Sequence, residues 1–291
     1  MRLELILKFI LVVSILFLSC KKESTDDKPT STQQPNQEVS DSIVNYLLIS
    51  HTRTDDTYGV YSKVETIDYN KYSVLLLGGD LSGLTSLADS VMSYASSIYN
   101  FGSENTLWAL GNHDYNNLSL VQSYTNRPAY YTYYKNGITF IVIDTQDSLS
   151  SIVGEQQQMF NNVIDTISKS SHLVMLYHKL IWMYGKSELE SQVESVSNGW
   201  LGSCFYCINP NNFYQDIYPR LVEVKNKGIE VVCLAGDIGL NSKKYEYLST
   251  DSIQFLASGM WYNDSINYGL VFNHNITTQE LTWDFKLIDD L

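Results

Sequence analysis

The side chains able to do chemistry in this chain sit in short polar clusters. They are His51 and Arg53 in "SHTR", Asp80 in "GGD", Asn112, His113 and Asp114 in "GNHD", His178 in "YHK" and Asp237 in "GDIG". Carboxylates, a carboxamide and neutral imidazoles offer lone pairs to a cation, imidazole also moves a proton near neutral pH, and a guanidinium grips an anion through two parallel donors. The formal charge of -13 argues against a nucleic-acid groove, which needs clustered Lys and Arg. An acidic protein acting on an anionic substrate needs a local positive centre, such as a metal ion. Taken singly the clusters are ordinary: Gly-Asp after a strand is a common turn, and a lone histidine such as His178 is more often a buried, hydrogen-bonded one.

What the clusters share is position, because each follows an apolar run. "IVNYLLIS" leads into "HTRTDD", "YSVLLLGG" into Asp80, "TLWALG" into "NHD", "ITFIVID" into "TQDS", "HLVMLY" into His178 and "IEVVCLAG" into Asp237. Runs of this length rich in Val, Ile and Leu suit strands buried on both faces. Between them, "LADSVMSYASSIYN" and "GEQQQMFNNVIDTIS" repeat apolar residues at helical spacing. Strand alternating with helix predicts α/β layering, and in such sheets the residues that end the strands gather along one edge, where ligands bind. The tail from "SIQFLASGMW" to "ELTWDFKLI" alternates like antiparallel strands, with a hairpin turn expected at Asn273 to Asn275. The 22 tyrosines, "YYTYY" at 130 to 134 among them, read as strand and core residues rather than a sugar-stacking platform, with an exposed subset near the site able to grip a glycan or nucleoside; His172 and His274 read as surface or turn residues.

The 291 residues, 44% hydrophobic, suffice for one large domain or two small ones. Arg2 and Lys8 flank "FILVVSILFLS", which has the shape of a signal-peptide core and ends at Cys20. "FLSC" resembles a bacterial lipobox, with Phe17 in place of the usual Leu, which implies removal of residues 1–19 and lipidation of Cys20; a plain N-terminal anchor is the alternative. Both put the body of the protein outside the cytoplasm, and the lipobox points to a membrane-anchored lipoprotein of the outer membrane. Residues 20–42 are polar and aperiodic, a flexible tether, so the folded domain is expected over 43–291. An insertion at about 185–219 interrupts the strand pattern as a lid, a specificity element or decoration. It carries Cys204 and Cys207, whose C-x-x-C spacing fits a local disulfide or free thiols better than half of a zinc site.

In order and context, "GGD", "GNHD" and "YHK" resemble the central blocks of the calcineurin-like metallophosphoesterases, and "EQQQMF" at 155 to 160 resembles that family's Gln-bearing helix start. The resemblance implies a two-sheet αββα sandwich whose strand-end loops hold metal ions. The outer blocks differ. Where the family has Asp-x-His, this chain has His51 and Arg53; where it has Gly-His-x-His, this chain has Asp237 and Gly239. Carried over residue by residue, one metal set is Asp80, Asn112, His178 and Asp237, all able to donate a lone pair. The other is His51, Arg53, Asp80 and Gly239; Arg cannot ligate a cation and Gly has no side chain. The expectation is therefore one divalent ion, with Arg53 standing where a second metal would and, with His51, binding the substrate's phosphoryl group. Three oxygen donors and one nitrogen favour Mn²⁺, then Mg²⁺ or Ca²⁺, over Zn²⁺ or iron.

The resemblance further implies that His113 is a general acid, with Asp114 orienting its ring, and that the substrate is a phosphomonoester or phosphodiester. The competing expectation is a catalytically inactive binding or assembly lipoprotein in which Arg53 pairs directly with Asp80 or Asp237. A third is metal-dependent hydrolysis of another bond, since a fold does not dictate its substrate.

Overall fold

The computed structural model describes residues 42–291, so the proposed signal peptide, Cys20 and the tether up to residue 41 lie outside the described residues. Along the chain run β1 Ile43–Ile49, β2 Val74–Leu77, α1 Asp89–Tyr99, β3 Thr106–Trp108, α2 Leu118–Thr125, β4 Tyr131–Lys135, β5 Ile138–Val142, α3 Gly154–Thr166 and β6 His172–Tyr177. There follow α4 Ser187–Glu190, α5 Val193–Val196, α6 Tyr218–Asn226, β7 Glu230–Ala235, β8 Lys244–Leu248, β9 Gln254–Ser258, β10 Tyr268–Asn275 and β11 Glu280–Leu287.

Two mixed sheets result. One has the order β11-β10-β1-β2-β3 and the other β4-β5-β6-β7-β9-β8. The inner strands of each, β1 to β3 and β5-β6-β7-β9, are parallel. Successive residues of a strand face opposite sides, and here both sides are dry. Tyr46, Leu48 and Leu76 face Phe140, Val174 and Leu234 across the gap between the sheets. Leu47, Ile49 and Leu77 pack outward with Met92 and Ala95 of α1. On the far side Met175 and Cys233 pack with Phe160 and Ile164 of α3 and Leu221 and Val224 of α6. The layers are thus helix, sheet, sheet, helix, as expected.

The tail departs from its sequence pattern. β10 and β11 are antiparallel, but β9 lies parallel to β7 inside the second sheet, because its five residues are all buried and need cover on both faces. The hairpin turn lies after Asn275, whose side chain caps the N–H groups of Thr277 and Thr278; Asn273 to Asn275 belong to β10.

His172 and His274 are buried rather than superficial. They meet between the sheets at the ends of the parallel strands remote from the polar loops, with ring centroids 5.9 Å apart and Nδ1 of His274 3.0 Å from the Tyr46 hydroxyl. Burial, reinforced by His274, lowers His172 from 6.5 to about 4. This histidine contributes stability in full above about 6.5, and that contribution is lost as pH falls toward about 4. Its size is on the order of 2 kcal/mol. In urea titrations, His172→Gln is expected to shrink the stability difference between neutral and mildly acidic pH by about that amount; an unchanged difference would count against a neutral, buried imidazole.

Candidate metal centre

The polar clusters all emerge at the carboxyl ends of the parallel strands, His51 after β1, Asp80 after β2, Asn112 and His113 after β3, His178 after β6 and Asp237 after β7. The two sheets come into backbone contact there. A Cβ on Gly236 would stand 2.1 Å from the carbonyl oxygen of Gly78, so only glycine lets β2 and β7 converge. Gly111 does the same for the first sheet, since a Cβ there would be 2.1 Å from Oδ1 of Asp80. Asp80 and His51 both adopt left-handed backbone conformations, at φ 56° and 51°. Non-glycine residues rarely do so, and such strain is characteristic of sites that must aim a side chain.

Asp80 and its loop are held by Asp114. The buried Asp114 carboxylate accepts the backbone N–H of Asp80 at 2.7 Å, of Gly111 at 2.8 Å and of Leu81 at 3.1 Å, and the Thr85 hydroxyl at 2.5 Å. The expectation that Asp114 orients the His113 ring is therefore corrected: four donors saturate its oxygens, and the contact that orients His113 is Nδ1 to the carbonyl of Gly83 at 2.5 Å. With its proton on Nδ1, His113 turns Nε2 to the pocket it lines. Its backbone N–H donates to Oδ1 of Asp80 at 3.0 Å.

His178 is fixed in the same manner. Nδ1 donates to the Gly78 carbonyl at 2.7 Å, which leaves the lone pair on a fully buried Nε2 without a hydrogen-bond partner. That nitrogen lies 3.6 Å from Oδ1 of Asp80 and 3.7 Å from Oδ1 of Asp237. These spans exceed a hydrogen bond. Donors bound roughly 2.0–2.6 Å from one ion at right angles stand about 3–3.7 Å apart, so the three atoms suit a shared cation. All three ligand atoms lie within 4.8 Å of one another. Asn112 lines the same pocket with Asp80 and Asp237.

The electrostatics match a site built for positive charge. Burial pushes Asp237 up from 3.8 to about 6, against the pull of His178. Burial also raises Asp80, but His178, His113 and His51 outweigh it and hold that carboxyl below its ordinary value. For His178, burial is outweighed by the carboxylates of Asp80 and Asp237, which raise it.

On the other side of Asp80 the arrangement differs. His51 Nδ1 bonds the Met260 carbonyl at 2.8 Å and Nε2 lies 4.0 Å from Oδ2 of Asp80. Burial lowers this imidazole to about 4. Arg53 extends over the Trp261 ring, 5.7 Å from its centroid, and its buried Nε lacks a partner. Among the described residues no carboxylate lies within ion-pair distance of the Arg53 guanidinium. At the last position, a Cβ on Gly239 would be 2.3 Å from the Met260 carbonyl oxygen. The Met260–Trp261 turn therefore fills the space in which the resemblance has a second histidine.

His51, Arg53, Asp80, Asn112, His113 and Asp237 line a pocket of about 170 Å³ whose remaining wall comes from Asn198, Gly199 and Tyr206 of the insertion and from Leu240. The insertion is tied down beside the site: Asn198 donates its N–H to the Asp237 carbonyl at 3.0 Å, and Cys204 and Cys207 form a disulfide. A larger cleft of about 620 Å³ beside Tyr69 and Tyr99 is lined by a different set of residues, without His or Cys.

Sequence reasoning missed Met260, Trp261 and Tyr206, which lie far along the chain from the clusters. It also missed Lys179, beside His178 in "YHK", whose buried Nζ donates to the Phe205 carbonyl at 2.7 Å and which burial lowers to about 8. The Gln-bearing helix start has a structural reason: Gln156 Oε1 accepts the Asp144 N–H at 2.7 Å and its Nε2 donates to the Asp144 carbonyl at 3.0 Å, fixing the loop after β5.

No family model and no curated protein matches the chain in sequence. Among solved structures it is similar to a dimetal phosphatase from Danio rerio, at 11% identity and a TM-score of 0.56, over 84% of this chain and 96% of that one. A 5'-nucleotidase precursor from Thermus thermophilus aligns at 10% identity and a TM-score of 0.43, and an NAD nucleotidase from Haemophilus influenzae at 13% and 0.39. Both cover 84% of this chain but 54% and 49% of theirs, so the chain spans about half their length. At these identities likeness speaks for architecture alone, and on the first of them this chain has the two-sheet metallophosphoesterase fold.

Proposed function

We propose that the protein is an exported phosphoesterase that works with one divalent ion and Arg53, anchored through a lipid on Cys20 and a tether to residue 42. The observation that carries the reading is the orphaned, buried Nε2 of His178 converging with the carboxylates of Asp80 and Asp237, while an unpaired guanidinium lines the same pocket.

The donor set fits a divalent ion: two carboxylates, the Asn112 carboxamide and one imidazole would hold it, with oxygen predominating, which favours Mn²⁺ over Zn²⁺. When bound, such an ion supplies Lewis-acid polarisation of a phosphoryl oxygen and a water acidified for attack on phosphorus. Arg53 binds the remaining phosphoryl oxygens and offsets the charge that builds on them. His51, held neutral, accepts a hydrogen bond or completes the cluster around Asp80. In its imidazolium form, with Nδ1–H held by the Gly83 carbonyl, His113 protonates the departing alkoxide from Nε2 and is left as the neutral Nδ1–H tautomer. The alternative of an inactive module needs Arg53 paired with Asp80 or Asp237, whereas the guanidinium lies over the Trp261 ring and leaves both carboxylates to the histidines.

The test joins binding to turnover. Mn²⁺ at about 100 times its dissociation constant is expected to add about 2.7 kcal/mol of stability, a rise of roughly 5–10 °C in Tm. The loaded protein is expected to hydrolyse p-nitrophenyl phosphate or bis(p-nitrophenyl) phosphate, and EDTA to abolish both effects. A protein that gains no stability from Mn²⁺, Mg²⁺ or Ca²⁺ and cleaves neither ester refutes the reading.

A further inference from the structure

We infer that the disulfide turn of the insertion is a substrate-selecting rim, and that the phosphoesters it admits carry a flat ring on the leaving group. The inference rests on the phosphoesterase reading and names its substrate class.

The pocket, at about 170 Å³, is smaller than the roughly 300–1,000 Å³ of sites that enclose a whole small molecule. It takes a phosphoryl group and leaves the alcohol portion outside. What that portion meets first is Tyr206 and Leu240, exposed residues that also line the pocket. Trp200 stands edge-on to Tyr206 with centroids 4.9 Å apart, and its own ring is exposed. Phe205, on the same turn, is exposed as well.

Exposed aromatic residues are common, and what marks Tyr206 is the set of contacts that pins its turn. Cys204 and Cys207 are bonded to each other. The Asn209 side chain accepts the Cys204 N–H at 2.8 Å and donates to the carbonyls of Cys204 at 2.9 Å and Cys207 at 3.1 Å. Lys179, a fully buried lysine adjacent to His178, donates to the Phe205 carbonyl at 2.7 Å. Desolvating an ammonium is costly, and here that cost holds one carbonyl of a surface turn. None of these contacts packs Tyr206 or Phe205 into the core. They fix the backbone so that the Tyr206 ring stands at the pocket mouth, the arrangement by which a rigid aromatic side chain binds with little loss of entropy, while the Phe205 ring lies against Tyr115 with centroids 6.0 Å apart. A planar ring stacks on Tyr206 while its phosphate sits between Arg53 and the carboxylate cluster.

The experiment compares two esters that share ribose and phosphate: adenosine 5′-monophosphate and ribose 5-phosphate. The ratio of their kcat/KM values is expected to favour the ring-bearing ester by about 10- to 50-fold, the scale of one base stacked on an aromatic side chain. Tyr206→Ala is expected to bring that ratio down toward one, and Tyr206→Phe to keep it. A general loss of folding lowers both rates and leaves the ratio intact. Calorimetric affinities for the matched pair adenosine 5′-phosphorothioate and ribose 5-phosphorothioate, both cleaved slowly, give the same comparison as binding. Equal handling of the two esters by the wild type, a ratio untouched in Tyr206→Ala, or octyl phosphate serving as well as the adenosine ester each overturns the rim. Hydrolysis of both esters alike overturns the rim alone, whereas selective binding with no turnover of any ester overturns the hydrolase reading and sustains the rim.

Discussion

Asp80→Asn is expected to weaken Mn²⁺ binding by at least about 100-fold, because loss of an outer-sphere partner alone costs about 10- to 100-fold and Asp80 is a donor at the centre of the cluster. Its carboxylate lies between the imidazoles of His178 and His51 and receives the His113 N–H. The amide keeps that last hydrogen bond and nearly the same volume, so the loop pinned by Asp114 retains its shape while the charge goes. Hydrolysis should fall with metal occupancy. The measurement is isothermal titration with Mn²⁺ beside the rate at saturating ion. Wild-type affinity in the variant would mean that Asp237 and His178 suffice, and that the shared carboxylate has been misassigned.

His113→Ala is expected to leave Mn²⁺ binding largely in place, since the ring touches Gly83 and the pocket while only its backbone N–H reaches Asp80. The rate is another matter. A positioned general acid contributes about 10²- to 10⁴-fold, and the loss should be largest for alkyl esters, whose alkoxides leave poorly without a proton. For p-nitrophenyl phosphate the loss should be much smaller, as nitrophenolate departs unprotonated. A uniform loss across leaving groups would instead point to a role in binding the phosphoryl group, and unchanged turnover of alkyl esters would remove His113 from the chemistry.

Much of this architecture could be read from the chain because two-sided burial leaves a plain mark. The run "YSVLLLGG" before Asp80 contains β2, Val74–Leu77, and "HLVMLY" before His178 is β6, with the polar clusters at their carboxyl ends. Asp80, His178 and Asp237 belong to the set that the resemblance implied with Asn112, and their ligand atoms lie within 4.8 Å of one another, at strand ends that a parallel sheet brings to one edge. Side-chain partners were less accessible. Asp114 follows His113 in sequence, yet its oxygens go to backbone N–H groups, and adjacency along a tight turn says little about direction in space. His274 looked like a turn residue because Asn flanks it on both sides, but strand alternation turns it inward to Tyr46. The wall made by Tyr206 and the closure made by Met260 depend on contacts between residues far apart in the chain, which a single sequence does not encode locally.

The contact between position 239 and the Met260 carbonyl bears on how readily such a protein could change its chemistry. Placing an imidazole there is not a one-step mutation: even the first carbon of a new side chain collides with main chain, and the turn carrying Trp261, over whose ring Arg53 lies, would have to be rebuilt in the same step. Laboratory evolution started from this sequence would more easily alter the surroundings of Arg53 than place any side chain at position 239.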